Sequence, residues 1–290
     1  MPSLIDLRRR IKSVKNTQQI TKAMKMVAAA KLKRSQERIE EARPFAKKMQ
    51  EVLRSVASKV DVSTHPLLEV RGDEKVELVV VTADRGLCGS FNTNIVKRAN
   101  QFLDQMKHGH ALTLHLVGRK GFEYYKRRSY TVRNSYVGIF NRLGYEHARA
   151  LAGGLMQAYT EGHLDAIYVV YNEFKSVMSQ NVVVERLLPL ADAAAGAPAT
   201  PSADYIYEPA PKEILETLLP KSVEMQIWRV LLESAAAEQA ARMTAMDAAT
   251  NNASDMIDRL TLQRNRIRQA AITREIIECV SGAEALTARS

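Results

Sequence analysis

Two stretches of helical rhythm frame this chain, with a stretch of different rhythm between them. Near the amino terminus apolar residues recur at Leu4, Leu7, Ile11 and Val14. After a polar gap the series resumes at Met24, Val27, Leu32, Ile39, Ala42, Met49, Leu53, Val56 and Val60. Steps of three and four keep these side chains on one face of an α-helix, so the pattern predicts one long helix over 1–60. Ser3 can cap its start, with Asp6 three residues on completing a capping-box-like pair. Pro44 argues for either a kink or a break. From about Pro211 the period returns and runs through Val223, Ile227, Val230, Leu231, Met246, Ala253, Ile257 and Leu260 to Val280, with no proline after Pro220.

Between them, Val76–Thr82, Leu112–Val117, Ala166–Tyr171 and Val182–Leu188 are short β-rich apolar runs. Helical segments are expected around Ile95–Met106, Phe122–Arg127 and Tyr145–Tyr159. Alternation at this spacing predicts an α/β layer domain with a mainly parallel sheet. Residues 191–204, of small side chains and proline, have no seam pattern and are expected to be a linker.

Length then decides the architecture. At ~1.5 Å per residue a helix over 3–58 is about 80 Å long and one over 212–286 about 110 Å. A domain of roughly 115 residues is only about 30–35 Å across. Helices of that length cannot be hidden inside it, so they are expected to wind on each other as an antiparallel coiled coil. The predicted fold class is therefore α/β, with a long antiparallel coiled coil of the N- and C-terminal helices plus a central Rossmann-like α/β domain. The expected boundaries are 1–60 for the first coiled-coil helix, 75–190 for the α/β domain, 191–207 for a linker and foot, and 208–290 for the second helix. Alanine at 28–30, 235–237, 240 and 241 predicts a thin seam with closely approaching backbones. The second helix is the longer, so part of one end is expected to lack its partner.

Charge adds an asymmetry. The net charge is +10, yet residues 1–36 hold ten basic side chains against Asp6 alone, while 206–290 hold ten basic against twelve acidic. A basic end calls for an acidic protein surface, nucleic acid or a membrane face. No run approaches the roughly 20 apolar residues of a spanning helix, and no apolar segment follows the amino terminus as a secretory signal would. Cys88 and Cys279 are the only cysteines, which points to a reducing compartment.

Candidate chemistry is thin. The loop Asp84-Arg85-Gly86-Leu87-Cys88-Gly89-Ser90 follows a strand and precedes a helix, where phosphate-binding turns sit. It has neither G-x-G-x-x-G nor a following Lys-Ser, so it reads as a tight turn with Ser90 or Asn92 capping the next helix. Histidines are scattered, with no metal-ligand spacing, and no nucleophile elbow is present. No catalytic residue, cofactor or metal is expected. Asn16-Thr17-Gln18-Gln19 interrupts the first helix, and Arg264, Arg266, Arg268, Gln269, Thr273 and Glu275 decorate the second near its end; solvated faces explain most such runs, but the second cluster lies on the part expected to outreach its partner helix, which makes it a candidate contact site.

Five motifs, in order along the chain, carry a resemblance: Arg8–Gln36 (RRRIKSVKNTQQITKAMKMVAAAKLKRSQ), Asp84–Gly89 (DRGLCG), Asp204–Pro209 (DYIYEP), Glu238–Ala253 (EQAARMTAMDAATNNA) and Ile272–Ala285 (ITREIIECVSGAEA). The sequence resembles the γ-subunit family of bacterial F-type ATP synthases over essentially its whole length. The resemblance implies a non-catalytic central rotor stalk that couples proton flow to ATP synthesis and hydrolysis. Its implied partners are three α and three β subunits, the ε subunit and the c-subunit ring, at the cytoplasmic face of the bacterial cell membrane. It also implies shaft contacts with β at Met24, Lys25, Arg268, Gln269, Thr273 and Glu275. Asp84, Arg85 and Cys88 would lie in a loop near β, and Tyr205, Tyr207 and Glu208 in a foot against the c ring. Gly89-Ser90 stands where the family commonly has Gly-Gly, and the dithiol insertion of the plastid form is missing, so no thiol switch is expected. The alternative reading is a basic coiled-coil nucleic-acid-binding protein, but residues 1–40 have no aromatic to stack on bases.

Overall fold

The computed structural model describes residues 3–57, 65–107, 109–177, 179–190 and 211–287. A first helix, α1, runs Leu4–Ala57. It starts as its sequence predicts: the Asp6 amide donates to Ser3 Oγ at 3.1 Å, and the Ser3 amide donates back to Asp6 Oδ2 at 3.3 Å. The Ser3 hydroxyl also donates to Asp6 Oδ2 at 2.8 Å, and this bond first, then the one from the Ser3 amide, holds the Asp6 carboxyl below its usual range. Pro44 lies inside the helix, which continues on both sides of it. The last helix, α5, runs Pro211–Thr287 with Pro220 inside.

Between them come β1 (Lys75–Val81), α2 (Phe91–Met106), β2 (Ala111–Val117), α3 (Arg119–Tyr125), β3 (Thr131–Tyr136), α4 (Tyr145–Thr160), β4 (Ala166–Phe174) and β5 (Gln180–Leu188). The strands form one sheet in the order β3-β2-β1-β4-β5. The first four are parallel, and β5 closes the edge antiparallel to β4. β3, TVRNSY, has no apolar alternation to announce it. It is an edge strand with mostly exposed side chains, so its sequence carries little burial signal.

The chain divides into two compact units, Met1–Val27 with Met243–Ser290, and Ala28–Arg242. In the first, the two helical segments pair antiparallel: the hydroxyls of Thr21 and Thr250 share a hydrogen bond at 2.8 Å, and Lys25 Nζ meets Asp247 Oδ1 at 2.6 Å. Leu7, Ile11, Met246 and Ala253 are buried there. Carried along at one residue per residue, this register sets Leu4 opposite about residue 267.

In the second unit each sheet face has its own core. Val79, Val81, Ile167 and Val169 pack with Leu151 and Leu155 of α4 and with Leu219, Val223 and Ile227 of α5. Leu78, Val80, Leu114 and Leu116 pack with Ile95 and Leu103 of α2 and with Ala237 of α5. A third cluster joins Leu32 and Ile39 of α1 to Leu232, Ala236 and Ala240 of α5. The alanine stretch is therefore not simply a seam for α1. Ala236 and Ala240 meet α1, whereas Ala237 and Ala241 meet the sheet-side core, because α5 is covered on two sides and only small side chains fit both. Ala29 and Ala30, by contrast, are exposed.

Candidate functional site

Two surfaces hold the residues that the sequence singled out. The first is the loop between β1 and α2. β1 is where the strand order reverses, and in doubly wound sheets the carboxyl ends of the strands there form the ligand crevice. In this protein α5 covers that loop. Arg242 donates from Nη2 to the Gly86 carbonyl at 3.1 Å, and its Nη1 pairs with Glu238 Oε1 at 2.7 Å. Both side chains are largely buried. Burial pushes the Glu238 carboxyl up, with Arg242 pulling it back down.

Asp84 and Asn92 hold the loop from below. Asp84 accepts backbone hydrogen bonds from Arg119 (3.0 Å), Gly138 (2.8 Å) and Phe140 (3.3 Å), gathering three segments on one carboxylate. Asn92 Oδ1 accepts from the Ala83 amide at 2.9 Å, and its amide nitrogen lies 3.2 Å from Cys88 Sγ. Asn92 is thus a loop clamp and not a cap. Ser90 occupies the N-cap position of α2 but makes no side-chain cap bond, since its backbone is not in the extended conformation a cap needs. Cys88 points inward, and burial pushes its thiol up. Leu87 adopts φ +62° and is 66% exposed, while Arg85 is exposed beside it.

Underneath, Gly118 has φ +90°, and a Cβ there would fall 2.0 Å from the Thr82 carbonyl oxygen. Thr82 Oγ1 accepts from the Gly121 amide at 2.8 Å. Sequence reasoning reads Asn92 as a possible cap, not a clamp, and assigns no role to Thr82 or Arg242. An asparagine four residues after the cysteine of a tight turn was the one available signal.

The second surface is the helix pair of the first unit. Met24 and Lys25 are half-buried, Lys25 through its ion pair with Asp247. Arg268, Gln269, Thr273 and Glu275 are exposed on α5, where Thr273 Oγ1 donates to the Gln269 carbonyl. The structure does not bring these two groups together. Asp247 is the residue beside Lys25, and Arg268 lies 21 residues further on, about 30 Å along the helix. Beyond the point opposite Leu4, Ile272, Ile276, Ile277 and Val280 are 48–58% exposed. Tyr205, Tyr207 and Glu208 lie outside the described residues.

A family model described as ATP synthase matches residues 3–286. The ATP synthase gamma chain of Chlorobium phaeobacteroides is 50% identical over 291 residues, covering 99% of both chains. That of Solibacter usitatus is 52% identical over 289 residues, covering 98% of this chain and 99% of its own. The chain belongs to the ATP synthase γ-chain family. The fold is that of the family's solved members. A chain of the central stalk and c-ring structure of Tetrahymena thermophila mitochondrial ATP synthase superposes with TM-score 0.60 at 29% identity, over 79% of this chain and 99% of that one. A rotor chain of the Euglena gracilis mitochondrial enzyme shares the fold, with TM-score 0.65 at 18% identity, over 93% and 98%.

Proposed function

We propose that this chain is the central rotor stalk of an F-type ATP synthase, turning to couple proton flow through a membrane ring to ATP chemistry at catalytic β subunits. Membership of the γ-chain family carries the reading, and the antiparallel helix pair supplies the physical means. Two helices tied by side-chain contacts across their interface resist twisting better than one. One asymmetric rod can bias three equivalent sites differently only if it touches each differently, which is coupling through a moving element.

In this reading the chain itself performs no catalysis and needs no cofactor. Three α and three β subunits surround the helix pair of the first unit, while ε and the c ring engage the other end, with the complex on the cytoplasmic face of a bacterial membrane. No helix among the described residues is long and apolar enough to cross a membrane. The exposed Arg268, Gln269, Thr273 and Glu275, the half-buried Met24 and Lys25, and the loop of Asp84, Arg85 and Cys88 are proposed contacts with β. Tyr205, Tyr207 and Glu208 are proposed contacts with the ring. The proposed division of labour follows the sequence: coiled-coil helices over 1–60 and 208–290, an α/β domain over 75–190, and a linker and foot over 191–207. Exposed charge pairs contribute only about 0–1 kcal/mol each, weak enough to let a passing face move on. The nucleic-acid reading gains no support from the family.

Reconstitution tests this. Added to purified α and β subunits, the chain should give a stable complex whose ATP hydrolysis far exceeds that of α and β alone. A chain that neither joins that complex nor changes its turnover would overturn the reading.

A further inference from the structure

The rotor reading leaves the polar interruption of α1 and Arg264 of α5 without a role, and they meet in one place. An open groove of about 360 Å³ runs along the helix pair of the first unit, walled by Arg8, Lys12 and Lys15 of α1 and by Arg264, with Asn16 and Gln19 at one end. Steps of four and three put Arg8, Lys12, Lys15 and Gln19 on one face of α1. Counted on from the buried Met246 and Ala253, the same steps along α5 pass Ile257 and Leu260 and reach 264. A seam position calls for an apolar side chain. An arginine stands there instead, half-buried.

Charge decides what can lie in the groove. No carboxylate lines it. Along α1 the first ion pair among the described residues is that of Lys25, so Arg8, Lys12 and Lys15 are not neutralised there. Arg264 donates from Nη2 to the side-chain oxygen of its neighbour Asn265 at 3.2 Å, which uses one of the five N–H groups of a guanidinium. Over the facing segments 4–19 and 252–268, nine basic side chains stand against Asp6, Asp255 and Asp258. Asp6 is bound to the Ser3 hydroxyl, and Asp255 and Asp258 are exposed and outside the groove. Like charges gathered in a cleft concentrate its positive potential, so the occupant is an anion of several charges.

Spacing selects between two kinds of polyanion. Arg8 and Lys15 stand about 10 Å apart along α1. On an extended acidic peptide, side chains of one face recur only every ~6.6 Å, so that length holds two carboxylates and leaves two cations unmet. A chain of phosphoryl groups is denser. A terminal phosphate carries up to about two negative charges, so three linked groups set about four charges in the same length. Their oxygens also suit the planar fork of Arg264. No aromatic side chain lines the groove, so a nucleobase has nothing to stack on.

We infer that this groove is a binding site for an oligophosphate, recognised by its phosphate chain whether free or as the tail of a nucleotide, with Arg8, Lys12 and Lys15 on one side and Arg264 on the other. The inference stands apart from the rotor reading and uses no residue assigned to β or to the ring.

Isothermal titration calorimetry of the full chain, in Mg²⁺-free buffer at low salt, tests it. Tripolyphosphate should bind with a Kd of about 1 mM or tighter, and ATP within about threefold of it, because the nucleoside adds no contact. Orthophosphate and hexaglutamate should each bind more weakly than tripolyphosphate. Arg8→Gln/Lys15→Gln should weaken tripolyphosphate about tenfold or more, and Arg264→Gln should weaken it too. Arg9→Gln/Arg10→Gln removes the same charge from other faces of α1 and should have a clearly smaller effect. Circular dichroism and thermal melting establish that each variant is folded; should one fail to fold, the ligand series decides. No saturable heat up to about 10 mM would overturn the assignment. Hexaglutamate binding as tightly as tripolyphosphate would overturn it in favour of an acidic protein segment, and ATP binding more than about threefold tighter in favour of the nucleoside. An equal loss in the two double variants would replace the site by a general basic field.

Discussion

The guanidinium of Arg242 bonds the carbonyl of Gly86, 156 residues away in sequence, at 3.1 Å, and pairs with the carboxylate of Glu238, one helical turn away, at 2.7 Å. A buried pair of this kind is costly to break from one side, because the remaining charge is stranded. It also makes α5 the roof of a loop whose own sequence specifies little.

Arg242→Ala should therefore loosen residues 85–90 and leave Glu238 unpaired. In a Cys279→Ser background, the labelling rate of Cys88 by a thiol reagent should rise roughly tenfold or more, the signature of easier local opening. Adding Glu238→Gln should recover part of the lost melting temperature, since the stranded charge is gone. Labelling as slow as in the parent would mean that the loop holds itself.

A pH dependence follows from Glu238. Its carboxyl is raised from an ordinary value near 4.5, by burial first. The native chain then holds a proton that the unfolded chain has released. The stabilising contribution is complete below about 4.5 and is lost as pH rises through the folded value. Denaturation midpoints measured from pH 4.5 upward should fall less steeply with pH in Glu238→Gln than in the parent. A steeper fall in the variant would reverse the sign and refute the argument.

Two glycines should behave in opposite ways. Gly118→Ala must place a methyl into the Thr82 carbonyl from a left-handed backbone, and should cost roughly 3 kcal/mol or more. Gly153, inside α4, has nothing within 4 Å of a built Cβ. Gly153→Ala should stabilise by about 0.5–1 kcal/mol, through helix propensity and a less disordered unfolded chain. Chemical denaturation of both variants measures the contrast directly.

Lys25 and Arg268 separate stability from assembly. Lys25→Glu sets two carboxylates together at Asp247, and should lower stability by up to about 1 kcal/mol. Asp247→Lys in the same chain should restore most of it. Arg268 is exposed, so Arg268→Glu should leave the melting temperature of the chain within experimental error. It should still reduce ATP hydrolysis in the complex with α and β. An equal loss of stability for the two reversals would remove the distinction.

The long helices were legible because their period is sustained for many turns, and the capping pair at Ser3 and Asp6 is local chemistry. β1, β2, β4 and β5 were legible as apolar runs. β3 was not, because an edge strand has few side chains to bury. Glu77 was equally silent: it lies within the apolar run of β1, fully buried, 3.4 Å from His115 and 3.3 Å from Arg133. That cluster exists only once three strands are laid side by side. The same holds for the site. Asp84, Arg85 and Cys88 could be picked out from their turn, but the roof over them comes from Glu238 and Arg242, which no spacing rule connects to residue 86. The exposed run ending at Val280 was foreseen from relative length alone. The direct partner of Lys25 was not, since a register between distant helices is set by side chains and not by period.

The paired hydroxyls of Thr21 and Thr250 have a mechanical meaning. An apolar seam offers nearly equal packing after a shift of one turn, so two greasy rods can creep lengthwise under load. A polar contact between them has its counterpart at only one setting: creeping by about 5.4 Å would break the bond between the helices and leave each hydroxyl with a carbonyl of its own helix, Gln18 for Thr21 and Met246 for Thr250. Like a key cut into two facing slots, it fixes the axial position of one helix against the other, so that a torque applied to either is delivered to both at once.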